Sequence, residues 1–529
     1  MIPLKLSTRR SFLRQIGGAT ALSLFGSSRV SAAELTESLS LVPAMDKVAR
    51  CCLAWLNPEE HSLPTGGYEV AHDTGRWWDA MLRYEDAVQQ RIAPPVEEAM
   101  RTNLRELTDN PAALLTAKLC NPHNLRESML AYTALVRWRD DEWARKQGGK
   151  LVATILELLD PDGQLNYEKL ADRVGKPLTK DPLVTQRSPA GEWFNATGTT
   201  GRALESIVWF YEATGHEPAR ELAAQLAEIH LRQTIDPSGE IRAELLDPTH
   251  VGHTHSYCGT LRGLLLYGFN AGDQRYVQTV SRTYRKGLWQ HVISHSGWNA
   301  HDQGKRRFSN KEGEPIGEHA SAGDVAQIAL WLATRVGEVD LLDDVERLMR
   351  ARLLPSQVTD VTNPRRDGAW GVYQHPFGFG AILDVFAAVL HTLCDVQKSI
   401  VRTEAGTTWI DLHFAAETPS MVVSSRRGEM ASLKVAVKAP GEVRLRVPGW
   451  ATRESIGLTV NEKAQPLRWD RSYVIVRREE APVGSTIELS HDLPESNTIE
   501  EMPGSHRQFH LKWRGDAVAG CEPKVPIYS

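Results

Sequence analysis

At 529 residues the chain is too long for one ordinary core and calls for two domains or one large toroid. It is 41% hydrophobic and 24% charged, as soluble globular proteins are, and a net charge of −5 with no basic run beyond the first residues excludes a nucleic-acid footprint. Fifteen tryptophans are an unusual number, and because broad indole faces both stack on sugar rings and fill cores, they hint at carbohydrate without deciding it.

The chain opens on an address. Thr8-Arg9-Arg10-Ser11-Phe12-Leu13 reads as a twin-arginine export signal, followed by an apolar stretch from Ile16 to Phe25 and small residues at Val30-Ser31-Ala32-Ala33 that offer a cleavage site. The stretch is too short for a permanent membrane span. Residues 1–33 are therefore set aside as a signal peptide, and a bacterial periplasmic or secreted location is expected. Six cysteines, at positions 51, 52, 120, 258, 394 and 521, form no C-x-x-C pair and fit neither a zinc ribbon nor a dense disulfide scaffold. Cys51 and Cys52 stand on an apolar segment and read as core.

Residues 34–400 follow a helical period, and the pattern repeats. Leu204, Ile207, Val208 and Tyr211 form a stripe that stops at Gly215, and a returning helix carries Leu222, Leu226 and Ile229. The plan recurs around Gly272, between Leu261–Phe269 and Tyr276–Val280, and around Gly337, between Ile328–Val336 and Leu341–Leu348. Such hairpins must stack to bury their faces, as an open solenoid or a closed toroid. Beyond residue 400 the period becomes two. Leu433, Val435 and Val437, then Val443, Leu445 and Val447, then Leu458 and Val460, alternate with polar residues between turns, which predicts a β-sandwich over 401–529.

Three stretches resemble the family 127 glycoside hydrolases, the β-L-arabinofuranosidase family. Val443-Arg-Leu-Arg-Val-Pro-Gly-Trp-Ala451, with Val460-Asn461 after it, is similar to the family's "LRIPGWA … VNG" motif. Val251-Gly252-His253 ahead of an apolar helix resembles its "VGHAVR". The run from Glu318 through Gly337 to Val345-Glu346-Arg347 resembles its Glu-Thr-Cys helix and downstream "ER". A weaker match is Asn121-Pro122-His123 before a long helix. The resemblance implies a mainly α fold with a β domain, an (α/α)6 helical-hairpin barrel followed by a C-terminal β-sandwich, with the active site at the loop-lined mouth.

The family's chemistry rests on a zinc-held cysteine thiolate, and here the sequence departs from it. The family's glutamate matches Glu318, but the cysteine two positions on falls at Ala320, and the Cys-Cys-Pro-Pro-Asn stretch falls near Tyr373-Gln374-His375-Pro376-Phe377, which holds no cysteine. Zinc therefore lacks its usual cysteine ligands, and no cofactor is firmly expected. A further departure is Thr200, where the family carries a histidine.

Three readings stay open. A carboxylate glycosidase would use Glu318 with Asp302, which lies sixteen residues earlier at the spacing of the family's acid/base glutamate; Asp324, on the same helix, reads as a first-turn acid. A harder metal site would draw on Glu318 and the neighbouring histidines. A polysaccharide lyase, working through Tyr257 or a histidine with Arg262 or Arg306, or a non-catalytic oligosaccharide binder is the third. The substrate-contacting candidates are His123, His253, His255, His301, His375, Asp73 and Trp77, the last two within Asp73-Thr74-Gly75-Arg76-Trp77-Trp78. The expected partner is an oligosaccharide or polysaccharide, with no nucleic acid; the oligomeric state stays open.

Overall fold

The computed structural model describes residues 39–55, 70–108, 122–160, 201–243, 252–299, 318–371, 382–501 and 508–528, with 166, 168–169, 172, 186–187, 193–194 and 302–303 as short pieces. The twin-arginine segment lies outside the described residues. Twelve α-helices are described: α1 Val42–Ala54, α2 Val70–Val88, α3 Pro94–Thr108, α4 Pro122–Arg139, α5 Glu142–Glu157, α6 Arg202–Thr214, α7 Glu217–Gln233, α8 Thr254–Ala271, α9 Gln274–Thr283, α10 His319–Trp331, α11 Leu342–Arg347 and α12 Leu383–Lys398. Helices α9, α10 and α11 each run on into a π-helical segment.

The even-numbered helices form an inner ring. Each packs on its two neighbours in order, α2 on α4, α4 on α6, and so on to α12, which closes back onto α2. The odd-numbered helices pack outside them, so the helical repeats close into an (α/α)6 barrel. The physical division is plain in the side chains. Every residue of α10 is buried, because an inner helix meets neighbours on both sides, the lumen in front and the outer layer behind. Outer helix α7, by contrast, buries only one stripe that includes Leu222, Ala223, Leu226 and Ile229.

Glycine ends the hairpins as the sequence predicts. Gly215, Gly272 and Gly337 take φ of +67°, +67° and +90°, the left-handed conformation that a C-terminal cap needs and a Cβ disfavours. Asp141 and Asp273 cap α5 and α9 by accepting from Ala144 N and Arg275 N, each at 2.9 Å. These turns lie at one end of the barrel. The connections that lead into inner helices are far longer in sequence, from 109–121 up to 158–201, and the inner-helix N-termini that follow them share the opposite end of the barrel. That end is the mouth.

Helix α12 stops at Lys398 and the first strand of the β region starts at Val401. One sheet runs in spatial order Trp469–Asp470, Tyr473–Val476, Glu442–Arg446, Thr407–Ile410, Val401–Glu404; the second runs Lys463–Ala464, Gly457–Val460, Thr486–His491, Ala431–Val437, Met421–Arg427, Ala416–Glu417. Their buried faces come from the predicted alternation, with Leu433 opposite Leu489, Val435 opposite Ile487, and Val443 opposite Val476. A third, three-stranded sheet, Glu495–Glu501, Gln508–Arg514 and Ala517–Glu522, packs Phe509, Leu511 and Trp513 against Trp298 and Ala351 of the barrel.

Buried charges couple the two regions. Glu346 on α11 reaches Arg446 of the Arg-Leu-Arg-Val-Pro-Gly-Trp stretch at 2.5 Å and also accepts from His413 N. Arg446 extends to Asp343, Arg350 meets Asp516 at 2.5 Å, and Gly449 N donates to Asp343 at 2.8 Å. Two of the stretches that carry the family resemblance are thus a docking contact between barrel and β region.

Candidate active site

Every inner helix places charge at the mouth end of the lumen. Asp73 and Arg76 come from α2, Arg126 and Glu127 from α4, Arg202 and Glu205 from α6, His255 and Arg262 from α8, Glu318 and Asp324 from α10, and Asp384 from α12; all are buried. Burying so many ions is costly unless each has a partner. The ring supplies them. Arg76 lies 3.1 Å from Glu127, Arg126 lies 2.9 Å from Glu205, and Arg262 bridges Glu205 at 3.2 Å and Asp324 at 2.7 Å. The indoles of Trp209 and Trp331 lie 5.8 and 5.3 Å from the Arg262 guanidinium and shield it from below.

His255 is held in one protonation state. Its Nδ1 is 2.5 Å from Asp324 Oδ2 and its Nε2 is 3.3 Å from Arg76 Nη2. A guanidinium only donates, so Nε2 accepts and the single ring proton sits on Nδ1, facing the carboxylate. Burial, reinforced by Arg202, Arg126 and Arg76 and opposed by Glu318, pushes its pKa well below that of a free imidazole. The ring is a neutral strut between α2 and α10.

Glu318 is the N-cap residue of α10, with extended backbone (φ −81°, ψ 120°), yet its side chain does not cap the helix. The carboxylate is 3% exposed and acts electrostatically on His255, Arg202 and Cys258. Burial, with the neighbouring Arg126 and Arg76 against Glu127 and Glu318, lowers the Arg202 pKa to about 10. Six inner-helix N-termini converge on the same end, and their dipoles place partial positive charge there.

Several expected residues are placed differently by the fold. Trp77 is fully buried in the core, its indole N–H donating to the Cys52 carbonyl at 3.3 Å; it packs α2 on α1 and does not present a face to sugar. His255 has both ring nitrogens engaged within the protein, which removes it as a hydroxyl ligand. Asp324 is not a first-turn acid complementing a helix dipole but the buried anchor of His255 and Arg262. Arg262 is held between two carboxylates, and burial pushes the Tyr257 phenol far above its usual range, so neither suits the lyase reading. Asp73 lies at the first turn of α2 and is buried at the mouth end.

The backbone brings two more candidates together. Gly252–His253 and Asp302–Gln303 form a two-residue antiparallel ladder in which His253 stands opposite Asp302, directly before α8. His123 is in the first turn of α4. The side chains of His123, His253 and Asp302, and all of His301, His375 and 373–377, lie outside the described residues.

Sequence reasoning missed Arg126, Glu127, Arg202, Glu205 and Asp384. The signal was present: each interrupts an otherwise apolar run early in an inner helix, as in Leu125-Arg-Glu-Ser-Met-Leu130 and Ala203-Leu-Glu-Ser-Ile-Val208. A charge inside an all-round buried helix needs a partner, and six such helices predict a ring.

The residues do not fit the family's zinc. Ala320 offers a methyl group where a thiolate is required, and among the described residues no group of three or more His, Cys, Asp or Glu side chains is arranged to hold a metal ion. Cys258 lies in the field of Glu318, and burial, with Asp324 and Glu318, pushes its thiol far above the usual range.

Six helical hairpins closed into a barrel, with a β region packed against it, define an (α/α)6 architecture joined to β-sheets. No protein-family profile matches the sequence, and no curated protein is similar to it in sequence. Solved structures are similar in fold. A GH127 β-arabinofuranosidase matches with a TM-score of 0.60 at 12% identity, over 92% of this chain and 82% of its own. A GH127 β-L-arabinofuranosidase from Geobacillus stearothermophilus T6 matches with a TM-score of 0.56 at 12% identity, over 89% and 80% of the two chains. A third structure, described as a glycoside hydrolase, matches with a TM-score of 0.59 at 13% identity, over 84% and 77%. The likeness to family 127 therefore holds in the fold and extends across both the barrel and the β region.

Proposed function

We propose that this chain is a glycoside hydrolase that cleaves a plant or algal oligosaccharide at the barrel mouth with carboxylates, without cysteine–zinc chemistry. The observation that carries the reading is Glu318: a buried carboxylate at the N-terminus of α10, placed as an N-cap but not used as one, in the field of Arg202. A glycosidase needs one ionised carboxylate, as base or nucleophile, and one carboxylic acid to protonate the leaving oxygen. The field of Arg202 and the α10 N-terminus suit Glu318 to the first role. Asp302, whose backbone pairs with that of His253 just before α8, would be the second carboxyl group. The Arg76–His255–Asp324 chain and the salt-bridged ring keep the floor rigid, so that little reorganisation is needed when charge develops on the sugar.

The first of the matched structures is that of a β-arabinofuranosidase. Arabinose-, galactose- and anhydrogalactose-containing oligosaccharides are accordingly the panel to test. Wild type is expected to release reducing sugar from at least one of them, and Glu318→Gln to lose at least a thousandfold in turnover while keeping its circular dichroism spectrum. No release by folded wild type would leave a barrel that binds sugars without cleaving them. The twin-arginine stretch supports export, and Arg9→Lys with Arg10→Lys is expected to hold the precursor in the cytoplasm.

A further inference from the structure

A second cavity lies away from the mouth, on the outer flank of the barrel where it meets the β region. It has a volume of about 600 Å³, within the range of roughly 300–1,000 Å³ typical of small-molecule sites. Trp289, from the segment after α9, and Trp450, from the Pro-Gly-Trp turn, line it, and the buried Trp513 of the third sheet backs it.

The charges that line the cavity are paired. Arg347 meets Asp344 at 2.5 Å, Arg285 meets Asp340 at 2.8 Å, and Asp516 is shared by Arg350 and Arg427 at 2.5 and 2.8 Å. No large excess of either sign remains to recruit an ion. What remains is a set of fixed donors and acceptors, because each paired carboxylate oxygen keeps a further lone pair and each guanidinium has more N–H groups than one bond uses. The Trp450 indole N–H is buried and has no hydrogen-bond partner among the described residues. A lone buried donor costs free energy that an incoming acceptor would recover.

Indole surfaces beside fixed, charge-balanced donors and acceptors match the chemistry of a neutral sugar, whose C–H faces are apolar and whose edges carry hydroxyls. We propose that this cleft is a non-catalytic saccharide site that holds neutral glycan on the barrel's flank, with Trp289 as a platform and Trp450 as a donor. The site is independent of Glu318 and of the activity proposed for the mouth.

Binding to soluble arabinan, arabinogalactan and agaro-oligosaccharides, followed by calorimetry and affinity electrophoresis, tests it. Wild type and Glu318→Gln should bind alike. Trp289→Ala should weaken binding at least tenfold, and the conservative Trp450→Phe several-fold, while both keep wild-type turnover of short substrates. Equal binding by wild type and both tryptophan variants, or no binding of any of these glycans by wild type, would overturn the proposal. Loss of binding in Glu318→Gln alone would also overturn it, by placing the glycan in the mouth.

Discussion

Glu346 and Arg446 are one hundred residues apart in the chain and 2.5 Å apart in space, both fully buried where α11 meets the β region. Burial works against ionising Glu346, but Arg446 and Arg350 outweigh it and hold the carboxyl well below the usual carboxylate range. Breaking such a pair strands a charge, which costs about 3–5 kcal/mol. Glu346→Ala is therefore expected to lower the thermal midpoint sharply and to expose the cleft between the regions to proteolysis. Glu346→Leu combined with Arg446→Met should recover part of the loss, because Arg350 keeps Asp516 and only Asp343, which still accepts from Gly449 N, loses its guanidinium partner. Differential scanning calorimetry of the single and double variants checks both statements.

Two glycines on inner helices make opposite predictions. A Cβ on Gly75 would stand 2.1 Å from the Glu127 carbonyl oxygen, so α2 and α4 could not approach as closely as they do. Gly75→Ala should destabilise by about 1–3 kcal/mol or more. A Cβ on Gly259 would meet nothing nearer than Arg202 Cγ at 4.0 Å. Gly259→Ala should be neutral or stabilise by up to about 1 kcal/mol, since alanine is the better helix former. Urea unfolding of the two variants side by side reads the difference.

Stability should fall on mild acidification. Burial lowers the His230 pKa to about 4, and burial, with His491 and Arg446 against Glu346, lowers that of His413 to about 3. An unfolded imidazole takes its proton near 6.5, so below that pH the unfolded state binds more protons and stability falls with pH. The contribution is fully present above about pH 6.5 and, for His230, is lost as pH drops toward 4, a change of about 3 kcal/mol. Urea midpoints at pH 7.5, 5.5 and 4.5 should decline steadily, and His230→Gln should flatten the curve. A flat wild-type profile would show that these rings are protonated in the folded protein.

Cysteine chemistry at the mouth is tested by Cys258. Its buried thiol, pushed far up in pKa, should resist iodoacetamide at pH 8 in the native protein and react only after unfolding. Cys258→Ser should keep turnover within a few-fold of wild type. Loss of turnover with the fold intact would return a cysteine to the mechanism.

Much of the fold was legible because it depends on local rules. The glycine stops at Gly215, Gly272 and Gly337 and the period-two runs at Leu433–Val437 and Val443–Val447 follow from backbone sterics and side-chain alternation within a few residues. The site was less legible. Trp77 and Asp324 each had two plausible fates, and which one holds depends on the helix that faces them. Charges such as Glu205 and Arg262 look like isolated interruptions until the ring closes and makes them neighbours at 3.2 Å.

By itself, the sequence determined the helical hairpins, their return turns, the change to alternating strands after residue 400 and the absence of cysteine at Ala320 and through 373–377. These are properties of single segments. Only the tertiary structure decided that the hairpins close into a barrel, that six helix N-termini and their charges gather at one end, and that Glu346 of the barrel grips Arg446 of the β region. The reason is physical: a buried charge is tolerated only beside its partner, and the partner's place is set by chain closure over a hundred residues or more, which no local pattern records.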